Sequence, residues 1–160
     1  MRSMIFAVLL SMAAVPSGPA AAQPGRQADR VAVTQVLAQY RSALERLDAT
    51  GTERLFVADS QIFESGGVEG TYANYLAHHL GPELREFRSF HFADVNVQVR
   101  FEGRVALATE SYTFRIEPAQ GAPVERRGVT TSVLRRTDAG WRIVSSHNSS
   151  RAPRRPPAGN

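Results

Sequence analysis

The sequence predicts an α+β domain in which helices pack on one face of a curved antiparallel sheet. Three observations predict it. Apolar residues recur at helical spacing as far as Phe87, the period changes to two beyond it, and Gly-containing turns separate the long β-prone runs of the second half. Helices followed by a run of strands form two layers around one core. No internal repeat is visible.

The first segment is a targeting signal. Arg2 is followed by an apolar run from Met4 to Val15, the helix-breaking Pro16-Ser17-Gly18-Pro19, and the small residues Ala20-Ala21-Ala22. The run is shorter than the roughly 20 apolar residues that span a bilayer, and nothing later in the chain is long and apolar enough to do so. Residues 1–22 are therefore expected to be a cleaved signal peptide. Cleavage leaves about 138 of the 160 residues beginning near Gln23, one ordinary domain. The expected location is periplasmic or secreted.

The first helix is expected over Ala28 to Leu47, with Val33, Val36, Leu37, Tyr40, Leu44 and Leu47 on one face and Arg41, Glu45, Arg46 and Asp48 opposite or flanking. A short second helix follows at Thr52 to Phe56, then a brief strand at Ser60 to Glu64 and a turn at Ser65-Gly66-Gly67. Thr71 caps a further helix reaching about Phe87, which Gly81-Pro82 kinks or breaks. Strands are expected at Ser89–Phe101, Arg104–Glu117, Val124–Thr137 and Gly140–Ser149, with tight turns at Glu102-Gly103 and Asp138-Ala139-Gly140. Residues 151–160, with Arg151, Arg154 and Arg155 among prolines, read as a disordered basic tail.

Composition excludes several classes of function. There is no cysteine, so thiol catalysis and cysteine-based zinc sites are ruled out. All 19 basic residues are Arg, and the formal charge is +4. Removing Arg2 and setting the three tail arginines aside leaves the folded part near neutral, without the basic stripe of a nucleic-acid-binding face. No nucleic-acid partner is expected. The chain also lacks a G-x-S-x-G elbow, a phosphate-cradling glycine loop and a dinucleotide fingerprint, so no cofactor is expected.

Glu110 is the leading candidate for chemistry. It alternates with Ala106, Ala108, Tyr112, Phe114 and Ile116, the inward face of its strand, while Thr109, Ser111, Thr113 and Arg115 point outward. A buried carboxylate must be paired, protonated or facing a cavity, and no charge partner is near in sequence. If it borders a cavity, desolvation raises its pKa and suits it to act as a general base. If it anchors a structural ion pair, it has no such role. His147 shares strand parity with Trp141, Ile143 and Ser145 and is the second catalytic candidate.

The ligand-contacting candidates are Tyr40, Glu64, His79, His91, Tyr112 and Trp141, with Glu69 at the rim. His91 shares parity with Val95, Val97 and Val99, and His79 follows Tyr75 by one helical turn. A lone histidine on an apolar face is more often a satisfied core residue than a ligand, so each stands beside that plainer reading. No compact metal motif such as H-E-x-x-H is present, and no metal ligand is assigned.

The order of these elements, with Phe63-Glu64-Ser65-Gly66-Gly67, Gly140-Trp141-Arg142-Ile143-Val144 and His147-Asn148-Ser149-Ser150, resembles the nuclear transport factor 2-like (NTF2-like) superfamily. The SnoaL-like or DUF4440-like branch is the nearest likeness, over residues 28–150. The resemblance implies a cone-shaped fold with an apolar-walled cavity, a small apolar or aromatic ligand and a homodimer formed through the outer sheet face. It implies either simple binding or cofactor-free isomerase- or dehydratase-like chemistry, and leaves open whether the chain is an enzyme, because fold does not fix function. Two alternatives stand beside the pocket. One is a non-catalytic dimeric association domain, with Thr130, Ser132, Ser146 and Ser149 giving a polar sheet surface. The other is a metal site built from His79, His91 or His147 with Glu64 or Glu110.

Overall fold

The computed structural model describes residues 24–153. The expected signal peptide and residues 154–160 of the expected tail lie outside the described residues. Helix α1 spans Pro24–Glu45, a 3-10 turn spans Thr52–Leu55, and strands β1 and β2 span Phe56–Glu64 and Gly67–Gly70. Helix α2 (Tyr72–Tyr75), a π-turn (Leu76–Leu80) and α3 (Gly81–Arg85) follow without a break, and β3 to β6 occupy Phe87–Glu102, Val105–Pro118, Val124–Thr137 and Gly140–Arg151.

The six strands form one sheet in the order β2-β1-β6-β5-β4-β3. Every pairing is antiparallel except β1 with β6, which is parallel. The sequence points to antiparallel pairing alone. The parallel pair arises because the helical segment intervenes between β2 and β3, so the chain returns to β1 only with its last strand. The 4-residue strand β2 is an addition to the expected elements, joined to β1 by a hairpin through Ser65 and Gly66, both at positive φ (48° and 95°).

Helix α1 presents Val33, Leu37 and Leu44 to the sheet, all buried. Full burial of side chains such as Leu37, Leu134 and Ile143 contributes about 1.5–3 kcal/mol each. Phe56 and Tyr72 stack in parallel 3.7 Å apart and fasten β1 to α2. At the start of α2, the Thr71 hydroxyl accepts from the Asn74 N–H, as the sequence expects.

Gly81-Pro82 neither breaks nor ends the helix. The strain is absorbed as a single π-turn, in which the Gly81 N–H donates to the Leu76 carbonyl. A Cβ at position 81 would lie 2.5 Å from that carbonyl oxygen, so the turn requires glycine.

Two bulges decide which side chains face the helices. In β3, Ala93 pairs with Thr113 and Asn96 with Ser111, so Asp94 and Val95 together stand opposite Tyr112. Asp94 takes φ 53° there. Phe90 and Phe92 point inward before the bulge, and Val97, Val99 and Phe101 after it. In β6, Ile143 pairs with Leu134 and Ser145 with Val133, which leaves Val144 unpaired against β5. Each bulge reverses the alternation of its strand beyond that point.

Candidate functional site

A cavity of about 130 Å³ opens between α1, the α2–α3 segment and the inner face of the sheet. Its walls are aromatic: Phe56 from β1, Phe90 and Phe92 from β3, and Tyr112 and Phe114 from β4. Phe90 and Phe92 stack 4.7 Å apart, and Phe92 meets the edge of Tyr112 at 5.0 Å. The hydroxyls of Thr130, Ser132 and Ser146 and the amide of Asn148 line the sheet floor. A broader groove of about 790 Å³ runs over the outer side of the sheet near Ser111, Arg127 and Ser149. It is an open surface depression. The inner cavity is the one with buried polar groups and apolar walls, the usual composition of a small-molecule site.

Glu110 is inside, as its strand parity predicts, and is 5% exposed. It is not alone there. Arg41 of α1 donates a hydrogen bond to the Glu110 carboxylate and forms an ion pair with it. Arg41 thus flanks the apolar face and does not lie opposite it. Arg41 follows Leu37 by four residues and precedes Leu44 by three, which is the spacing of the apolar stripe itself. That spacing was the available signal for the missing partner. Burial lowers the Arg41 pKa, with Glu45 and Tyr112 acting in the opposite direction.

Tyr40, Glu64 and Tyr112 line the cavity, as expected. The Tyr75 hydroxyl donates to Glu64 Oε2 at 2.6 Å, and the Tyr112 and Thr130 hydroxyls are hydrogen-bonded at 2.8 Å. Burial pushes the Tyr40 phenol well above its ordinary pKa, reinforced by Tyr75, Tyr72 and Glu64. Desolvation likewise raises Tyr75 and Tyr112. These phenols stay protonated near neutral pH.

His79 stands behind the cavity wall, where three carboxylates converge on it. Nδ1 lies 3.1 Å from Glu69, and Nε2 lies 3.3 Å from Glu83 and 3.8 Å from Glu64. Burial disfavours the imidazolium, but the Glu69 hydrogen bond and the three negative charges outweigh it, and the pKa is raised. Burial raises the Glu83 carboxyl.

Three candidates are not at this site. His147 is exposed on the outer face, pairs with Thr131 and Phe63, and meets the Phe63 ring edge-on at 6.2 Å. The unpaired Val144 reverses the strand, so Ser146 and Asn148 point inward in its place. His91 is exposed and pairs with Arg115 on the outer face, because Val97 and Val99 become inward only after the Asp94 bulge. Trp141 is buried, but its ring packs against Phe101 at 5.7 Å and its N–H donates to Asp29 at 3.1 Å, away from the cavity lining. The hydroxyl surface expected outside is also corrected. Thr130, Ser132 and Ser146 face the cavity, and only Ser149 lies outside.

The sequence also leaves Glu83, Gly128 and the walls Phe90 and Phe92 unmarked, while Phe114 is inward as its strand parity predicts. A Cβ on Gly128 would lie 2.2 Å from Cε2 of Tyr112, so the ring lies over the glycine backbone. Among the described residues, no group of three or more His, Cys, Asp or Glu side chains is placed to hold a metal ion.

The fold and the cavity define an α+β cone that encloses a small apolar-walled pocket. The chain belongs to the SnoaL-like domain family, which matches residues 33–153. No curated protein matches it. An NTF2-like superfamily protein from Salmonella enterica serovar Typhimurium is similar in structure, with a TM-score of 0.71 and 19% identity over 84% of this chain and 99% of that one. An NTF2-like protein with a cystatin-like fold from Novosphingobium aromaticivorans has a TM-score of 0.66 and 21% identity over 80% of this chain and 85% of that one. The hexachlorocyclohexane dehydrochlorinase LinA-type3 from Novosphingobium barchaimii has a TM-score of 0.69 and 14% identity over 79% and 89%. At these identities the likeness establishes the fold. Kinship with DUF4440-like proteins rests on the sequence resemblance alone.

Proposed function

We propose that this chain is an exported protein that binds one small apolar or aromatic molecule inside the cone. The observation that carries the reading is the cavity itself, aromatic on its walls and holding the buried Arg41–Glu110 pair. A structural core has no use for an open cavity beside a charged pair, whereas a binding site uses the apolar walls for affinity and the polar groups for orientation. A cavity near the volume that accommodates benzene, about 150 Å³, fits a single ring.

Native mass spectrometry of protein purified from its own cell envelope tests this reading. The expected spectrum shows a small organic adduct that disappears in Phe92→Trp, whose larger ring fills the cavity. Unchanged ligand occupancy in that variant would overturn it. N-terminal sequencing of the exported protein should begin at Gln23 or a near neighbour. The assembly is a homodimer through the outer sheet face, where Val129 is exposed. Light scattering showing a monomer at micromolar concentration would remove that part of the reading.

A second reading is proton transfer on the bound molecule, and one observation favours it. Glu64 is oriented by the Tyr75 hydroxyl at the cavity wall and is reached by His79, while Glu110 is occupied by Arg41. On that reading the base is Glu64, not Glu110. The dehydrochlorinase that shares the fold makes such chemistry a natural assay class for this chain.

A further inference from the structure

We propose that the cavity selects a small organic cation, an amine carried on one aromatic or alicyclic ring, over neutral and anionic molecules of the same shape. This inference rests on the pocket reading above and goes beyond it by naming the ligand class. The first observation is the charge balance of the lining. Three carboxylates, Glu64, Glu83 and Glu110, line the cavity against one guanidinium, Arg41. Arg41 is committed to Glu110, so Glu64 and Glu83 remain, with Glu69 behind them.

Among the described residues, His79 is the one basic side chain within ion-pairing reach of Glu64, Glu69 and Glu83. It supplies at most one positive charge against three carboxylates. Glu45, whose carboxylate accepts from the Phe92 N–H at 2.9 Å, adds a further negative charge on the α1 side near Arg41. This net negative surrounding belongs to a chain whose formal charge is +4. Low-dielectric walls focus the field of such a cleft and raise the local concentration of ions of opposite sign.

The second observation is independent of charge. Tyr40, Phe90, Phe92 and Phe114 surround the same cavity, and the faces of aromatic rings attract an organic cation by about 0.5–2 kcal/mol. A neutral ligand would gain from the walls alone. An anion would meet Glu64 and Glu83 with no free arginine to receive it. An amine gains from the walls and the carboxylates together, and its ammonium donors match the acceptor-only carboxylates of the lining.

The test uses three single-ring probes of similar size on the purified mature protein: benzylamine, benzyl alcohol and benzoate, each titrated by calorimetry near neutral pH. Benzylamine should bind about tenfold or more tightly than benzyl alcohol, as expected for charge-assisted contacts that are partly desolvated, and benzoate should bind most weakly. The amine advantage should shrink when ionic strength is raised about tenfold. In Glu64→Gln/Glu83→Gln, the advantage of benzylamine over benzyl alcohol should disappear, whatever the variant does to the alcohol itself; the salt series on the native protein decides the matter if that variant does not fold. Equal affinity for amine and alcohol, or tightest binding of benzoate, overturns the cation preference and leaves the pocket reading standing. Failure of all three probes to bind overturns both.

Discussion

Arg41 and Glu110 lie 69 residues apart in sequence and form an ion pair across the cone, helix α1 to strand β4. The Glu110 side chain is 6% exposed and that of Arg41 16%. This pair changes the meaning of Glu110. A lone buried carboxylate would be a poised base, whereas a paired one ties a helix to the sheet and presents a dipolar wall.

Glu110→Gln is therefore expected to destabilise the fold by about 3 kcal/mol, because it leaves a largely buried guanidinium without its counter-charge. Arg41→Leu should cost at least as much, since it strands the more deeply buried partner. Replacing both with Leu should cost less than the sum of the single changes. Thermal and denaturant melting of the four proteins measures this, and additive losses would show that the pair is not coupled.

Gly128→Ala should cost about 1–3 kcal/mol, an overpacking penalty. The new methyl would meet the Tyr112 ring at 2.2 Å and force it off Gly128, separating Tyr112 from Thr130. Ligand binding should weaken along with stability, because Tyr112 lines the cavity. A crystal structure of the variant with Tyr112 unmoved would refute the account.

His79 gives stability a defined pH dependence. Its folded pKa is raised above the ordinary 6.5, so its contribution is complete below about pH 6.5 and is lost as the pH rises through the folded value. Glu83, also raised, works in the same direction at lower pH, from its ordinary 4.5 upward. Melting temperatures should decline above about pH 6.5, and His79→Gln should flatten that slope. A slope that persists in the variant would assign it elsewhere.

Trp141→Phe should lower stability by about 1–2 kcal/mol, through loss of the N–H donated to Asp29 and of packing on Phe101. Binding of a ligand in the cavity should be unchanged. Calorimetry on the variant checks this, and a loss of affinity would return Trp141 to the site.

Much of the fold is legible in the sequence because it follows from local pattern. The apolar stripe Val33, Leu37, Leu44 marks α1, and the Thr71 cap marks the start of α2. Strict alternation along β4 places Glu110 and Tyr112 inward, and that strand has no bulge. The two histidines on β3 and β6 are misplaced for one physical reason: a bulge costs a single residue and leaves little trace in composition, yet it exchanges the two faces of everything beyond it. His91 and His147 went outside, and Phe90, Phe92, Ser146 and Asn148 came in.

The sequence by itself determined the α+β class, the order of elements, the inward face of β4 and the presence of a carboxylate there. Only the tertiary structure decided what that carboxylate does, because its partner sits on a helix whose position over the sheet no local spacing encodes. The same holds for the acidic cluster around His79. Glu64, Glu69, His79 and Glu83 are scattered over a strand end, a hairpin and a helical turn, and only when α2 and α3 pack against β1 and β2 do their charges act on one another. Coulomb interactions depend on distance in space, and hydrophobic periodicity fixes only which face is buried, not which charges that burial brings together.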